Sequence, residues 1–266
     1  MSKQIIIIGG GISGLSVLHQ VKKRFKDTGD VQVLLIEKNS DLGGHIRSEL
    51  KESWLFEAGP EGFLDSKFST LELIEELGLT DDLIPAQAQT KIRYLCLRDK
   101  LYALPMSFAA FLGFKLLSVT EKLRVLGEFF VPRQADPAET VYQFGCRRFG
   151  KRIAQYFFDA MAAGIYGGDI HKLSIKVAFP PIYAFEEKYG SVLRGFFQQI
   201  KERKQSARTD KARLAGGQLF SLRQGMGQLI ATLQKKYKED ISRGEEAYSL
   251  AKTETGYIVE TNKRGQ

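Results

Sequence analysis

Three glycines, at positions 9, 11 and 14, and an acid at position 37 are the residues of this chain whose types and spacing could do chemistry. The run Gly9-Gly10-Gly11-Ile12-Ser13-Gly14 follows an apolar stretch, Ile5 to Ile8, and opens a helical stretch. A second apolar run, Val31 to Ile36, ends at Glu37. Strand, glycine turn, helix, strand and acid, in that order, are what holding a dinucleotide requires. Gly9 permits a tight turn, Gly11 lets backbone approach a pyrophosphate, and Gly14 lets the helix pack against the strand. The helix N-terminus offers unpaired N–H groups and the positive end of a dipole to phosphate. Glu37 lies 23 residues past Gly14, about where a carboxylate accepts both ribose hydroxyls. That favours an unphosphorylated ribose, and so FAD or NAD over NADP.

The residues beyond this acid narrow the choice. Gly43-Gly44 lies six residues on, and Phe56-Glu57-Ala58-Gly59-Pro60-Glu61-Gly62-Phe63 adds another glycine-bearing turn. A nicotinamide enzyme has no particular need for either. A flavin does, because backbone must come close to its ribityl and ring portions. These features resemble the amine oxidase group of flavoproteins, and the resemblance implies that the glycine pair touches the flavin side of the cofactor. Many relatives carry Arg or Lys directly after the pair. This chain has His45 there, so Arg47 is the nearer cationic candidate. The expected cofactor is FAD, and the expected contacts are Gly9, Gly11, Ile12, Ser13, Gly14, Glu37, Lys38, Gly43, Gly44, Arg47, Gly59, Pro60, Glu61 and Gly62.

The elements that position these residues belong to a chain of 266 residues, 43% hydrophobic and 26% charged, an ordinary composition for one or two globular domains. The net charge of +8 points to an anionic partner. The densest basic patch, 201–213, holds Lys201, Arg203, Lys204, Arg208, Lys211 and Arg213 against two acids. It has no interleaved aromatics, which argues for a solvated loop and against nucleic acid. Cys96 and Cys146 make neither a disulfide framework nor a metal site, and read as reduced thiols. The first strand begins within four residues of Met1, which predicts no signal or transit peptide and a cytoplasmic, bacterial protein. No run reaches the ~18 apolar residues of a membrane span.

Periodicity predicts a helix over 66–84 with Gly78 as a candidate stop. Two strands, 91–97 and 100–104, flank Arg98-Asp99. From Pro105 to Val131 the chain is rich in large apolar residues, which suits a buried helix pair or an apolar face on a membrane surface; periodicity favours the core. An amphipathic helix is expected over 138–162, interrupted at Phe149-Gly150, then a glycine-rich turn from Ala163 to Asp169. Phe179-Pro180-Pro181 reads as a breaker and 182–204 as a helix. Residues 216–230 lead into a helix to Tyr237, and 247–250 and 257–261 read as strands.

Several motifs in one order carry a more specific resemblance. They are Leu101-Tyr-Ala-Leu-Pro105, Glu139-Thr-Val-Tyr-Gln-Phe144, Arg147-Arg-Phe-Gly150, Ala163-Gly-Ile-Tyr-Gly-Gly-Asp169, Lys172-Leu-Ser-Ile175, Phe179-Pro180 and Gly225-Met-Gly-Gln-Leu-Ile230. Together they resemble the protoporphyrinogen and coproporphyrinogen oxidase family, FAD enzymes of late haem synthesis, over the whole chain. The resemblance implies an α/β fold: a Rossmann-like FAD-binding domain with an inserted, mainly helical substrate and membrane region. It places the FAD-binding parts at 1–88 and 215–266 and the insert at 89–214, with the C-terminal part of the family fold missing. It further implies that Arg93 faces a substrate propionate, that Gly164 lines the porphyrinogen pocket, and that Ala247 stands where a valine usually meets the adenine through its backbone. The insert would dock on the inner face of the cell membrane, beside other haem-pathway enzymes. No general acid, base or metal is expected, since the flavin carries the chemistry. Two alternatives stand beside this reading: another amine-oxidase-like flavoprotein, such as a carotenoid desaturase, and a non-catalytic nucleotide-binding or membrane-binding module.

Overall fold

A computed structural model describes residues 3–26, 31–65, 68–87, 92–105, 107–134, 136–206 and 218–263. The chain divides into two compact units, Met1–Ala86 with Leu214–Gln266, and Gln87–Arg213. From residue 207 on, the basic patch of 201–213 lies outside the described residues, as do Lys91 and the Gly216-Gly217 pair.

The first unit opens with β1 (Lys3–Ile8), α1 (Ile12–Arg24) and β2 (Val31–Glu37). The two apolar runs become parallel neighbours, in register from Lys3 opposite Val31 to Ile8 opposite Ile36. Helix α1 buries Leu15 and Leu18 and ends in Lys22, Lys23 and Arg24, cations that suit the negative end of its dipole. A hairpin comes next, β3 (Ser48–Lys51) and β4 (Trp54–Glu57), then the short β5 (Phe63–Leu64). Helix α2 (Phe68–Glu76) is shorter than the periodicity of 66–84 predicts. Gly78 takes a left-handed φ of +70° and ends it, and after a 3-10 turn Leu83–Pro85 forms strand β6.

In the second unit β7 (Tyr94–Leu97) and β8 (Lys100–Ala103) pair across Arg98-Asp99, both at positive φ as a tight hairpin turn requires. Next come α3 (Phe108–Leu112) and α4 (Val119–Leu126), the latter opened by a reciprocal Ser118–Glu121 cap. The apolar stretch is neither all core nor all surface. Phe114 and Leu117 are buried, whereas Phe108, Leu112, Val119, Leu123 and Phe130 are exposed. Helix α5 (Val141–Phe149) begins at a Thr140–Gln143 cap and stops at Gly150. A nearly continuous helix then runs through α6 (Lys151–Ile153), a π-helical turn (Ala154–Phe158) and α7 (Asp159–Tyr166).

Three expectations for this unit are corrected. Gly164 is helical, and the turn begins only at left-handed Gly167. Pro180 does not break structure. It is the first residue of α9 (Pro180–Tyr189), directly after the short α8 (Ile175–Ala178), because the first helical position needs no N–H. The helix expected over 182–204 is two helices, α9 and α10 (Val192–Ser206), separated by left-handed Gly190.

The return segment supplies β9 (Leu219–Leu222), α11 (Gly227–Lys236), β10 (Ile241–Arg243), β11 (Ala247–Lys252) and β12 (Tyr257–Thr261). Strand β10 joins β2 in parallel, so the main sheet runs β1-β2-β10; β9 sits between β5 and β6, and β11 pairs with β12. Leu15, Leu18, Leu35, Ile74, Leu229 and Leu233 form the centre of this unit's core. No helix among the described residues is long and apolar enough to cross a membrane.

Candidate nucleotide site

The candidate site gathers at the C-terminal ends of β1 and β2. Gly9 leaves β1 with φ +103°, and its N–H donates to the Ile36 carbonyl (2.8 Å), so the turn is tied to the neighbouring strand. A Cβ on Gly14 would lie 1.9 Å from the Gly9 carbonyl oxygen, so no larger residue lets α1 start this close to the strand. At Gly11 a Cβ would meet nothing within 4 Å: that backbone faces open space at the helix N-terminus. Helix α1 has no side-chain cap and no acid in its first turn, leaving its N-terminal N–H groups to an anion.

Gly43 and Gly44 lie directly against this turn. The Gly43 N–H donates to the Gly10 carbonyl (2.8 Å), and Gly43 pairs with Gly11 in an isolated bridge. A Cβ on Gly43 would approach the Ile46 carbonyl oxygen to 2.6 Å at a φ of +104°, so the position demands glycine. The turn around Gly59 is held alongside, with the Ala58 N–H donating to the Arg47 carbonyl (2.8 Å).

Glu37 is buried, and its carboxylate accepts three hydrogen bonds. Gly10 N–H reaches Oε2 (2.7 Å), while Asn39 N–H (2.9 Å) and the Asn39 side-chain amide (2.8 Å) reach Oε1. Burial alone would raise this carboxyl. The bonds from Asn39 and Gly10, with Lys38 nearby, outweigh it and hold the pKa below the usual carboxylate value. A carboxylate has about four acceptor positions, so the Asn39 amide occupies one that a ribose hydroxyl needs. Two-point ribose binding therefore requires the Asn39 side chain to turn away. The chain returns beside this carboxylate: Gly244 N–H donates to the Asn39 carbonyl (3.0 Å) and Glu245 N–H to the Glu37 carbonyl (2.9 Å), just before Ala247.

Other expected residues are placed less tightly. Ser13, Lys38, His45, Pro60 and Glu61 are exposed, Ile12 and Gly62 half-buried. Arg47 is exposed and 3.9 Å from Glu49. Arg93 and Gly164 belong to the second unit. Arg93 is exposed just before β7, its carbonyl accepting from Leu104 N–H (2.8 Å). Gly164 is an exposed residue of α7 with nothing within 4 Å of its Cβ position.

Sequence reasoning missed Ser48 and Glu57. Ser48 Oγ donates to Glu57 (2.7 Å) and accepts the Gly227 N–H (2.7 Å), while Glu57 accepts the Met226 N–H (2.7 Å). The hairpin base thus caps the N-terminus of α11. These partners are 169 and 179 residues apart, and no local signal in the sequence joins them.

A turn of open backbone at a helix N-terminus, with an ionised acid one strand away, fits the ADP portion of a dinucleotide. A family model described as "Flavin containing amine oxidoreductase" matches residues 12–266. Coproporphyrinogen III oxidase of Bacillus subtilis (strain 168) is 28% identical, the match covering 97% of this chain and 56% of that protein. Protoporphyrinogen oxidase 1, chloroplastic, of Arabidopsis thaliana is 27% identical over 94% of this chain and 47% of its own. Among solved structures, "Putative protoporphyrinogen oxidase from Exiguobacterium sp. 255-15" superposes with a TM-score of 0.78 at 22% identity, over 100% of this chain and 58% of that one. The chain therefore spans about half the length of the curated relatives it matches.

Proposed function

Because this chain belongs to the flavin-containing amine oxidoreductase family, we propose that it forms the FAD-holding part and some of the substrate region of a porphyrinogen oxidase of haem biosynthesis. The observation that carries this reading is the near-complete alignment of the chain with porphyrinogen oxidases, over 97% and 94% of its length. Residues 1–88 and 215–266 form the FAD-binding domain, and 89–214 the insert. The cofactor is FAD, which when bound supplies a two-electron acceptor for hydride leaving the substrate. This chain's residues position it. The N-terminus of α1 receives the pyrophosphate, Glu37 accepts from the ribose, and the Gly43-Gly44 backbone admits the ribityl side. The backbone at Ala247 meets the adenine. Gly59 to Gly62 continue the cofactor wall, with Arg47 as its cation. Arg93 binds a substrate carboxylate, since a guanidinium offers two parallel donors to it, and Gly164 keeps the pocket wall free of a side chain. The exposed residues Phe108 and Leu112 meet the cytoplasmic face of a membrane.

Two measurements test this. Calorimetric titration of the purified chain should show binding of FAD and of ADP at one competing site, with NADP much weaker. Absence of ADP binding removes the nucleotide assignment. A protein completed with the unmatched remainder of the Bacillus subtilis relative should convert a porphyrinogen to fluorescent porphyrin. Oxidation of an amine or carotenoid instead overturns the substrate.

A further inference from the structure

The first unit holds a second concavity, whose charged lining is all of one sign. Helix α11 buries Leu229, Ile230 and Leu233 on one side. Its other side presents Ala231, Gln234 and Lys235, and the helical spacing carries on to Lys238 in the 3-10 turn that follows. Strand β10 adds Ile241 and Arg243, two residues apart and so on one face. These residues line a groove of about 450 Å³. Three of them are cations and none is an acid. None belongs to the glycine turn, to Glu37 or to the Gly43-Gly44 pair.

Neighbouring cations are engaged. Lys22 Nζ bonds Asp240 (2.9 Å), Lys23 bonds Glu76, and Lys236 lies over the Tyr237 ring (5.7 Å). The groove's own cations are not neutralised: among the described residues no carboxylate pairs with Lys235, Lys238 or Arg243. Arg243 Nη1 donates to a neutral acceptor, the Ser40 carbonyl (3.3 Å). Lys263 Nζ donates to the Arg243 carbonyl and brings a further positive charge beside the strand. Glu239, next to Lys238 in the chain, is exposed and outside the lining. The dipole of α11 accounts for Lys235, in its last turn, but not for Lys238 or Arg243, which lie beyond the helix. Like charges gathered without an acid repel one another, and an anion seated among them offsets that cost.

We propose that this groove binds a small phosphate monoester, with Lys235, Lys238 and Arg243 on the dianion and the organic part resting on Ala231 and Ile241. Phosphate is the matching chemistry. A monoester carries about −1.5 to −2 charges at pH 7, and its three free oxygens accept from several donors at once. Each lysine contributes a point charge with three donors, and the guanidinium a planar fork. A single carboxylate would neutralise only one of the cations. The Gln234 amide stands at the same wall for a hydroxyl or carbonyl of the remainder. A free ester and the headgroup of a phosphorylated lipid share this chemistry. The site is separate from the proposed FAD contacts and depends neither on that cofactor nor on the porphyrinogen reading.

The test titrates glycerol 3-phosphate into the purified chain by calorimetry at low salt, with excess ADP present to fill the glycine turn. One-to-one binding is expected, weakening as salt is raised. Lys235→Gln with Lys238→Gln should weaken it about tenfold or more, since two charge-assisted contacts are lost. Both side chains are exposed, so circular dichroism and ADP binding should not change. Lys100→Gln with Lys252→Gln removes the same charge from exposed positions elsewhere and should change affinity by less than about twofold. A parallel arm measures co-sedimentation with phosphatidylcholine vesicles carrying phosphatidic acid, which presents the same ester in a bilayer. Binding in solution assigns a free ester. Vesicle retention that only the groove variant loses, without binding in solution, assigns a lipid headgroup; either result upholds the phosphate site. No binding in both arms, or equal losses in the two double variants, overturns it. Binding indifferent to Lys235 and Lys238 places the ester elsewhere and overturns it too. Absence of ADP binding would remove the nucleotide assignment alone, because the lysine variants read the groove separately.

Discussion

The proposed site asks one carboxylate, Glu37, to serve both the turn and the ribose, and the two duties compete. Its bond from Gly10 N–H fixes the glycine turn against β2, while the Asn39 side chain sits where a ribose hydroxyl would bond. Glu37→Ala removes acceptors worth about 1.5–3 kcal/mol per hydrogen bond to a charged group, so ADP affinity in titration should fall at least about tenfold. Asn39→Ala vacates an acceptor position and should leave affinity unchanged or improve it. An unaltered affinity in Glu37→Ala removes the ribose role. For Arg93, Arg93→Ala in a completed protein should raise KM for a porphyrinogen by about tenfold, one charge-assisted contact, with flavin content measured after unfolding unchanged. Loss of flavin would give Arg93 a different task. The glycine turn and its acid were legible because they sit in consecutive elements with fixed spacing. The Asn39 bond was not, since spacing does not say which side chain fills an acceptor before a ligand arrives.

Among the elements, the second unit is organised around buried charge. Arg148 is fully buried and bonds Glu128 Oε1 (2.9 Å), the Gly190 carbonyl (3.0 Å) and Glu186. Glu128 in turn accepts N–H groups at the start of α10 from Val192 (2.9 Å) and Leu193 (3.2 Å), with Ser191 Oγ (2.6 Å). Arg147 adds Glu139 and Glu186. One cluster therefore ties α5, α9, α10 and the turn after α4. Arg148→Met leaves buried Glu128 without a cationic partner, Glu186 keeping Arg147, and should cost about 3–5 kcal/mol, read as an earlier urea midpoint for this unit. Burial pushes Glu186 up, but its bonds to Arg147 and Arg148 and from Gln134 N–H win and hold it below the usual value. A depressed carboxyl stabilises the fold above its unfolded pKa, about 4.3, and that contribution fades as pH falls through the folded value. The urea midpoint should accordingly drop below about pH 4.5, and less so in Glu186→Gln. The sequence showed Arg147-Arg148 only as a motif, because its acid partners come from segments up to 39 residues away. Helix ends were misread for a related reason. Gly78 was named as a stop and is one, but Gly190 acts through backbone handedness and Pro180 through its missing N–H, and an apolar period records neither. The same limit applies to the apolar stretch after Pro105, where Phe114 packs edge-on to Phe157 (5.7 Å) while Phe108 stays exposed. A membrane test must therefore change Phe108 and Leu112. Phe108→Ser with Leu112→Ser should reduce co-sedimentation with anionic vesicles, and an unchanged fraction removes the membrane face.

For the molecule as a whole, the order strand, glycine turn, helix, strand, insert, return was readable from hydrophobic runs and breakers. The strands β9 and β10 were not. Each is three or four residues long and is defined by partners far away in the chain, β9 by β5 and β6 and β10 by β2. The 266 residues hold the glycine turn, Glu37 and the strand beginning at Ala247, which in the proposed function receive the adenosine half of FAD. They span about half the length of the relatives. Hydride transfer needs donor carbon and acceptor ring held close and aligned, an advantage of about 7–11 kcal/mol in well-oriented systems. In the proposed site the flavin itself meets only backbone at Gly43-Gly44 and Gly59 to Gly62, which is less than this alignment asks for. The 266-residue polypeptide alone should therefore bind ADP, bind FAD more tightly through the Gly43-Gly44 and Gly59 to Gly62 backbone, and release no porphyrin fluorescence from a porphyrinogen. A protein completed with the unmatched remainder of the Bacillus subtilis relative should bind FAD more tightly still and ADP nearly unchanged, because the new contacts fall on the ring side. A purified chain of these 266 residues that is yellow and turns over porphyrinogen by itself would falsify this division of labour, and would place the reacting edge of the flavin within this chain.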